Sequence, residues 1–217
     1  MEISELGMLG AVLAASYVAG ATPFGYLAGR LKGIDIREHG SGNVGATNVI
    51  RVLGKGLGIP VFAADFCKGL VPVLLVQWWV RRLGLGGDAP GMVAAAGAVL
   101  GHNFPFWLRF RGGKGIATSA GALAALLPWP LLCAAVVWLL VFLGSRYVAL
   151  GSLAAAVALP GAAVALRWSQ GTPSVALCWF AVALGALAVW RHRSNIRRLL
   201  DGTENRFERR AKGGRGA

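Results

Sequence analysis

Long apolar stretches alternate along the chain with short segments rich in glycine and polar residues. Stretches long enough to cross a bilayer as helices cover residues 6–28, 57–80, 91–108 and 173–190. Residues 114–168 are also apolar and have room for three shorter spans. Pro128-Trp129-Pro130 separates the first of these from the second, and Gly144-Ser145-Arg146 separates the second from the third. The pattern predicts an all-α, polytopic transmembrane helical bundle of about seven spans.

Composition excludes the usual soluble classes. Hydrophobic residues make up 56% of the 217-residue chain and charged residues only 14%, against about 25% charged residues in ordinary soluble domains. A soluble fold of this size keeps a large wet surface and cannot bury so much apolar area. The net charge is +13, but beside these apolar stretches it indicates cytoplasmic loops and contacts with anionic lipid or substrate. We therefore expect a membrane protein with no nucleic-acid partner.

The distribution of Lys and Arg predicts the orientation. With the N-terminus outside, almost every basic residue falls in cytoplasmic loops or in the C-terminal tail, and only Arg81, Arg82 and Arg167 fall outside. Because basic residues mark the cytoplasmic side, we predict an outside N-terminus, a cytoplasmic C-terminus and an odd number of spans. Glu2 and Glu5 stand where a signal peptide would be basic, which favours retention of the first span.

The chain is predicted to form a single membrane-embedded domain over residues 1–207. Residues 208–217 are a basic, glycine-rich tail that we expect to be disordered. The three cysteines lie far apart in apolar stretches without a CxxC pattern, so neither a disulfide nor a metal site is expected. Asp65 and Lys68 lie inside the second span, and their spacing favours a structural pair whose charges neutralise each other.

Three segments rich in glycine and polar residues fall on the predicted cytoplasmic side. They are residues 40–48 followed by Arg51, residues 101–118, and residues 192–198 followed by a short turn to Glu204. In the second, Gly112 and Gly113 let backbone N–H groups approach an anion, the next helix adds partial positive charge, and Lys114 adds a full charge. The spacing of a P-loop is absent, and a helix start with an interfacial lysine is the alternative.

The first and third segments carry similar candidates. Arg51 can grip a phosphate through two parallel hydrogen bonds, although a turn followed by an interfacial arginine is equally consistent with the sequence. His192 and Asn195 are three residues apart and share a face on a helix. Taken alone, a solvated histidine would be the simpler interpretation. The convergence of three such segments on one side favours a single phosphate-binding site.

These segments together resemble a known family. GSGNVGATNVIR, GHNFPFWLRFRGGKGIAT and HRSNIRRLLDGTE are similar, in order and spacing, to the bacterial acyl-phosphate:glycerol-3-phosphate acyltransferases, and the resemblance covers about residues 5–207. It implies a seven-span protein of the bacterial plasma (inner) membrane with its active site on the cytoplasmic side. It also implies transfer of a fatty acyl group from acyl phosphate to the 1-hydroxyl of glycerol 3-phosphate. The products would be 1-acylglycerol 3-phosphate (lysophosphatidic acid) and phosphate, in the first acylation of bacterial phospholipid synthesis, with no metal or organic cofactor.

The resemblance implies roles for single residues. The catalytic candidates are Ser41, Lys114, His192 and Asn195. The phosphate-binding candidates are Arg51, Lys114, Gly42, Asn43, Gly45, Thr47, Asn48, His102, Gly112 and Gly113, the glycines through their backbone N–H groups. The identity of the general base is left open: His192, His102 or an oxygen of a substrate phosphate could accept the proton. Direct transfer is favoured over an acyl-enzyme because no base adjoins Ser41 in the sequence.

The expected partners are glycerol 3-phosphate, a fatty acyl phosphate and membrane lipid, and seven spans suffice for a monomer. The main alternative is a membrane transporter of an organic phosphate or another anion. Transporters often show internal repeats and polar sites at the bilayer midplane, whereas here no repeat is evident and the polar segments lie at one face. Two further alternatives are a scaffold that binds anionic lipid through its tail and an acyltransferase that uses another donor.

Overall fold

The computed structural model describes residues 3–207, so the predicted disordered tail at residues 208–217 lies outside the described residues. Within that range all regular structure is helical. The α-helices are α1 (Ile3–Gly20), α2 (Phe24–Leu31), α3 (Ala46–Leu53), α4 (Lys55–Arg82), α5 (Ala89–Asn103), α6 (Ile116–Leu126), α7 (Pro128–Ser145), α8 (Val148–Gln170), α9 (Val175–Arg191) and α10 (Arg193–Leu200). Short 3-10 turns occur at Ile36–Glu38 and Phe106–Leu108. The predicted all-α class is confirmed.

Among the described residues, four helical stretches are long and apolar enough to cross a bilayer: Glu5–Leu31, which includes most of α1 and all of α2, and helices α4, α7 and α8. A fifth is obtained when α9 and α10, which meet at an angle of 56°, are counted together. Helices α5 and α6 are shorter, with 15 and 11 residues. At about 1.5 Å per residue they fall short of a hydrocarbon core of about 30 Å. A bundle of several membrane helices is therefore present, and the count of seven and the orientation stay predictions.

Proline sets one of the two helix boundaries that the sequence indicated within residues 114–168, and a left-handed arginine sets the other. Helix α6 ends before Leu127, which precedes a proline and has an extended φ of −141°. Pro128 then opens α7, where its missing N–H costs nothing. Arg146 separates α7 from α8 with a left-handed φ of 67°. Both breaks predicted inside residues 114–168 are thus confirmed.

The predicted span over residues 91–108 is wrong at its C-terminal end. Helix α5 stops at Asn103, because Phe104 precedes Pro105 and the residue before a proline disfavours the helical region. The chain turns through the 3-10 segment at Phe106–Leu108 and reaches α6 only at Ile116. This break creates the loop that carries Lys114.

Small residues allow the helices at the centre of the bundle to pack closely. A Cβ atom added at Gly101 of α5 would lie 2.2 Å from the carbonyl oxygen of Tyr17 in α1. One added at Gly69 of α4 would lie 2.0 Å from the carbonyl oxygen of Thr118 in α6. Contacts this close leave no room for a side chain, so α1 packs on α5, and α4 on α6, nearly backbone to backbone.

The two intramembrane charges pair as predicted. Lys68 Nζ lies 2.8 Å from Asp65 Oδ1 and donates a hydrogen bond of 2.7 Å to the carbonyl oxygen of Thr22. The Nδ1 atom of His102 lies 3.6 Å from the same carboxylate oxygen. All three side chains are buried. The pair therefore joins α4 to the turn after α1 and lies directly behind His102.

Candidate active site

The first polar segment is ordered by Asn48, whose side chain is 1% exposed. Its Oδ1 atom accepts a hydrogen bond of 2.8 Å from the backbone N–H of Ser41. Its Nδ2 atom donates to the carbonyl oxygens of Ile36 at 3.2 Å and His39 at 3.0 Å. The predicted phosphate contact at Asn48 therefore needs correction: its amide is used to shape the loop. In the same segment Asn43 Oδ1 accepts from the N–H of Gly45 at 2.8 Å, at the start of α3.

The second segment folds onto the end of α5. The backbone N–H of Gly112 donates to the carbonyl oxygen of Asn103 at 3.2 Å, and that of Gly113 donates to the carbonyl oxygen of His102 at 3.1 Å. A Cβ atom at Gly113 would lie 2.0 Å from His102 Nε2, so only glycine fits there. Gly115 has a left-handed φ of 80° at the start of α6, a conformation that glycine adopts without strain.

The predicted use of glycine N–H groups as anion donors does not match this geometry. The N–H groups of Gly112 and Gly113 are engaged with α5, and that of Gly42 donates to the carbonyl oxygen of His39 at 3.0 Å. The N–H of Gly45 is bonded to Asn43. The glycines let the loops turn and approach closely, and the positive charge comes from side chains.

Arg191 fastens the second segment to α9. Its Nε and Nη2 atoms donate to the carbonyl oxygen of Gly113 at 3.1 and 2.6 Å, and Nη2 also donates to that of Gly112 at 3.0 Å. Its guanidinium carbon lies 5.0 Å from the centroid of the Phe104 ring. A planar donor fork suits two neighbouring carbonyls, so Arg191 holds the backbone immediately before Lys114 in place.

The third segment lies at the bend between α9 and α10. His192 Nδ1 lies 2.7 Å from the carbonyl oxygen of Ala188. Because a carbonyl can only accept, Nδ1 carries the proton in this contact and Nε2 is left as the basic nitrogen. His192 is 3% exposed, so few water molecules compete for that nitrogen.

Asn195 lies at the centre of a chain of polar contacts. Lys114 Nζ donates to Asn195 Oδ1. Asn195 Nδ2 donates to Glu204 Oε1 at 2.9 Å, and the other carboxylate oxygen of Glu204 accepts from Arg198 Nε at 2.8 Å. Each partner fixes the orientation of the next, so the ammonium group of Lys114 is held at a defined position.

Burial lowers the pKa of the Lys114 ammonium group well below its usual value. Desolvation lowers its pKa to about 8; Glu204 opposes the shift, while the cationic charge of Arg198 and Arg51 adds to it. Burial likewise lowers the pKa of Arg51, although an arginine stays charged in any case. The Arg51 guanidinium lies 5.6 Å from the centroid of the Phe207 ring. The site thus holds two cations close together, which favours the binding of an anion.

The three segments meet at one end of a cavity of about 380 Å³. At its other end the cavity continues between α6, α7, α8 and α9, where apolar side chains line it. Among these are Leu123, Leu131, Ala134, Trp138, Ala156, Leu159 and Leu184. Most of the residues predicted for the site lie at the polar end: Ser41, Asn43, Gly45, Thr47, Asn48, Arg51, His102, Lys114, His192 and Asn195. Gly42, Gly112 and Gly113 do not line it.

Comparison with known proteins identifies the family. The family model described as glycerol-3-phosphate acyltransferase matches residues 10–202. The chain belongs to the glycerol-3-phosphate acyltransferase family. A member from Anaeromyxobacter sp. (strain Fw109-5) is 45% identical over 209 residues, which cover 95% of this chain and 99% of the relative. One from Aquifex aeolicus (strain VF5) is 43% identical over 192 residues, covering 88% and 95%.

Solved structures of a family member agree with the fold. The glycerol 3-phosphate form of PlsY (YgiH), an integral membrane glycerol 3-phosphate acyltransferase, matches with a TM-score of 0.81 and 40% identity, covering 92% of this chain and 96% of that one. Its lysophosphatidic acid form matches with a TM-score of 0.79 and the same identity, over 92% and 95%. The predicted family resemblance is confirmed.

Two residues of the polar network in the present protein were not predicted from its sequence. Arg191 was counted only among the tail charges, and Glu204 was noted in the third segment without a role. Glu204 gave one signal, as an acidic residue within a strongly basic stretch. Backbone N–H groups of residues 203 and 204 both donate to the carbonyl oxygen of Arg198, at 2.8 and 3.1 Å, which turns Glu204 back towards α10. Only the fold shows that this turn brings its carboxylate to Asn195.

Replacing Arg191 by glutamine is expected to raise KM for glycerol 3-phosphate about tenfold with a smaller change in kcat. The variant loses hydrogen bonds worth about 1 kcal/mol each to the loop before Lys114. Steady-state kinetics of the purified protein would measure this split. Arg197→Gln is the matched control, since Arg197 is exposed and does not line the cavity. Equal KM values in the two variants would show that Arg191 does not position the loop.

Proposed function

We propose that this protein transfers a fatty acyl group from an acyl phosphate to the 1-hydroxyl of glycerol 3-phosphate, giving lysophosphatidic acid and inorganic phosphate. The observation that carries the proposal is the cavity, which joins a cationic polar end to an apolar passage. Both substrates carry phosphate, and one also carries a long hydrocarbon chain. The hydrocarbon chain of the acyl phosphate would lie between α6 and α9, while the phosphate groups of both substrates contact Lys114 and Arg51.

The chemistry suits a site that acts by positioning and charge. An acyl phosphate is a mixed anhydride and is already activated, so the protein needs mainly to orient the two substrates and stabilise developing charge. The glycerol hydroxyl oxygen attacks the carbonyl carbon, a new C–O bond forms, and the bond to the phosphate oxygen breaks. The hydroxyl proton goes to His192 Nε2, or to an oxygen of the leaving phosphate, and phosphate departs.

Location follows from the same proposal. We assign the protein to the bacterial plasma membrane with about seven spans, the N-terminus outside and the site on the cytoplasmic side, because the predicted charge bias orients it so. In that orientation the site faces the soluble pool of phosphate esters, while the acyl chain can enter from the bilayer. A single chain contains the whole cavity, which supports action as a monomer.

The donor is tested with purified protein in lipid nanodiscs. The mixture contains palmitoyl phosphate and labelled glycerol 3-phosphate, without CoA, carrier protein or added metal. Labelled lysophosphatidic acid and an equal amount of released phosphate are expected, with almost none from Lys114→Ala. Product formed only when acyl-CoA replaces palmitoyl phosphate would overturn the donor assignment. Flux of glycerol 3-phosphate into sealed vesicles without product would point to a transporter.

A bulky residue in the apolar passage should shorten the preferred acyl chain. Ala156 lies on α8, lines the cavity and is 9% exposed, so Ala156→Phe would fill part of the passage. We expect the ratio of kcat/KM for palmitoyl to decanoyl phosphate to fall at least about tenfold, since excluding even one methylene from an apolar pocket costs about 1–3 kcal/mol. Val136→Phe on α7 is the control, because Val136 is 49% exposed on the outer surface. An unchanged ratio in Ala156→Phe would place the acyl chain elsewhere.

The affinity for glycerol 3-phosphate is expected to fall as the pH rises above 8. The pKa of Lys114 is about 8, so the ammonium is charged below that value and is lost above it. The substrate phosphate, with a second pKa of about 6, stays dianionic throughout. We expect KM to rise by about tenfold between pH 8 and 9.5. Initial rates across this range would measure it, and Lys114→Ala should show a high KM without the rise.

A further inference from the structure

An open groove of about 700 Å³ lies beside the catalytic cavity. Neighbouring residues of the same two segments line the groove and the cavity. Gly112 lines the groove while Lys114 lines the cavity, and Arg191 lines the groove while His192 lines the cavity. A ligand in the groove would therefore contact the same loop and the same helix end that position the side chains of the candidate active site.

The groove carries an excess of positive charge. Of its arginines, Arg37 is paired with Asp35 at 2.6 Å, and Arg191 is bonded to backbone carbonyls. Arg111 is exposed, and within residues 3–207 it forms no ion pair. Arg193 is also exposed and makes one long hydrogen bond of 3.3 Å to the Trp190 carbonyl oxygen. Glu38, exposed at the groove, offsets only part of this charge.

The aromatic side chains at the groove are of the kind found at the level of lipid headgroups. Trp190, at the end of α9, is 50% exposed, and Phe110 is 61% exposed. The Arg193 guanidinium carbon lies 4.6 Å from the centroid of the Trp190 ring. Exposed tryptophan next to arginine, at the end of an apolar helix, is typical of the membrane–water interface. Basic pockets at that level bind the phosphate groups of anionic lipids.

We infer that this groove binds the phosphate of an anionic phospholipid headgroup through Arg111 and Arg193. The bound headgroup stabilises the loop at Gly112 and the end of α9, and so supports the position of Lys114. The site is separate from the substrate cavity and does not depend on which acyl donor the enzyme uses.

Native mass spectrometry of the detergent-solubilised protein tests this site. Phosphatidylglycerol is titrated against wild type and the Arg111→Gln/Arg193→Gln double variant, with phosphatidylcholine as the zwitterionic comparison. Arg109→Gln/Arg197→Gln is the matched control, since both residues are exposed and neither lines the groove. We expect one phosphatidylglycerol adduct whose affinity falls about tenfold or more in the double variant and is unchanged in the control. Equal thermal unfolding of all three proteins excludes misfolding.

Two further arms identify the occupant. Lys114→Ala should keep the adduct, because Lys114 lines the cavity and not the groove. Inorganic phosphate at millimolar concentration should compete with the adduct only weakly if the hydrocarbon chains also contribute to binding. The inference is overturned if the double variant retains wild-type affinity, or if Lys114→Ala removes the adduct. Efficient competition by phosphate, with no preference for phosphatidylglycerol over phosphatidylcholine, would instead mark a site for soluble phosphate.

Discussion

Replacing Lys114 by alanine is expected to lower kcat/KM for acyl transfer about 10²–10³-fold, which is the usual cost of removing a donor that stabilises transition-state charge. Lys114 lines the polar end of the cavity, where its Nζ is oriented by Asn195. Its positive charge would stabilise the phosphate of a substrate and the negative charge that builds up on the leaving phosphate. The second contribution acts only in the transition state, so kcat should fall as well as affinity.

Initial rates with both substrates varied would measure this loss. Lys55→Ala is the matched control, because Lys55 is an exposed lysine at the start of α4 and does not line the cavity. Asn195 and Glu204 keep each other as partners in the Lys114 variant, so the fold should persist and the unfolding temperature should change little. A loss of less than threefold in Lys114→Ala, or an equal loss in Lys55→Ala, would contradict the role assigned to Lys114.

Much of the helical framework follows from local sequence signals. Apolar stretches predicted the helices now seen as α1 with α2, α4 and α9, and the prolines at 128 and 130 marked the boundary between α6 and α7. The span over residues 91–108 was placed too long because its apolar character continues past Pro105. Hydrophobicity does not register a backbone break when the residues after it are also apolar, as Phe106, Trp107 and Leu108 are.

The sequence predicted which segments form the site, but it did not predict the hydrogen-bond partners within it. Three polar segments with Arg51, Lys114 and His192 were expected to converge, and they line one cavity. Glycine-rich composition suggested free N–H donors, yet the N–H groups of Gly112 and Gly113 bind the end of α5. Whether a loop amide points towards a ligand or towards its own helix depends on tertiary packing. The contact between Asn195 and Glu204 depends likewise on a turn whose direction no local pattern specifies.

Replacing His192 by glutamine is expected to lower kcat about 10²–10⁴-fold, the range usual for loss of a general base. The contact of Nδ1 with the carbonyl oxygen of Ala188 leaves Nε2 as a proton acceptor, and burial keeps the ring in one orientation. Glutamine can still donate a hydrogen bond but has no basic nitrogen. The loss should therefore appear in kcat, with KM for glycerol 3-phosphate changed less than about threefold.

The chain offers a close control in His39. Its Nδ1 also contacts a carbonyl oxygen four residues earlier, that of Asp35 at 2.9 Å, but His39 is exposed and does not line the cavity. His39→Gln should leave both kinetic constants near wild type. If His192→Gln lowered kcat by less than tenfold, the proton would have to leave by another route. The alternative proton acceptor is the oxygen of the departing phosphate, because that oxygen becomes more basic as its bond to the acyl carbon breaks.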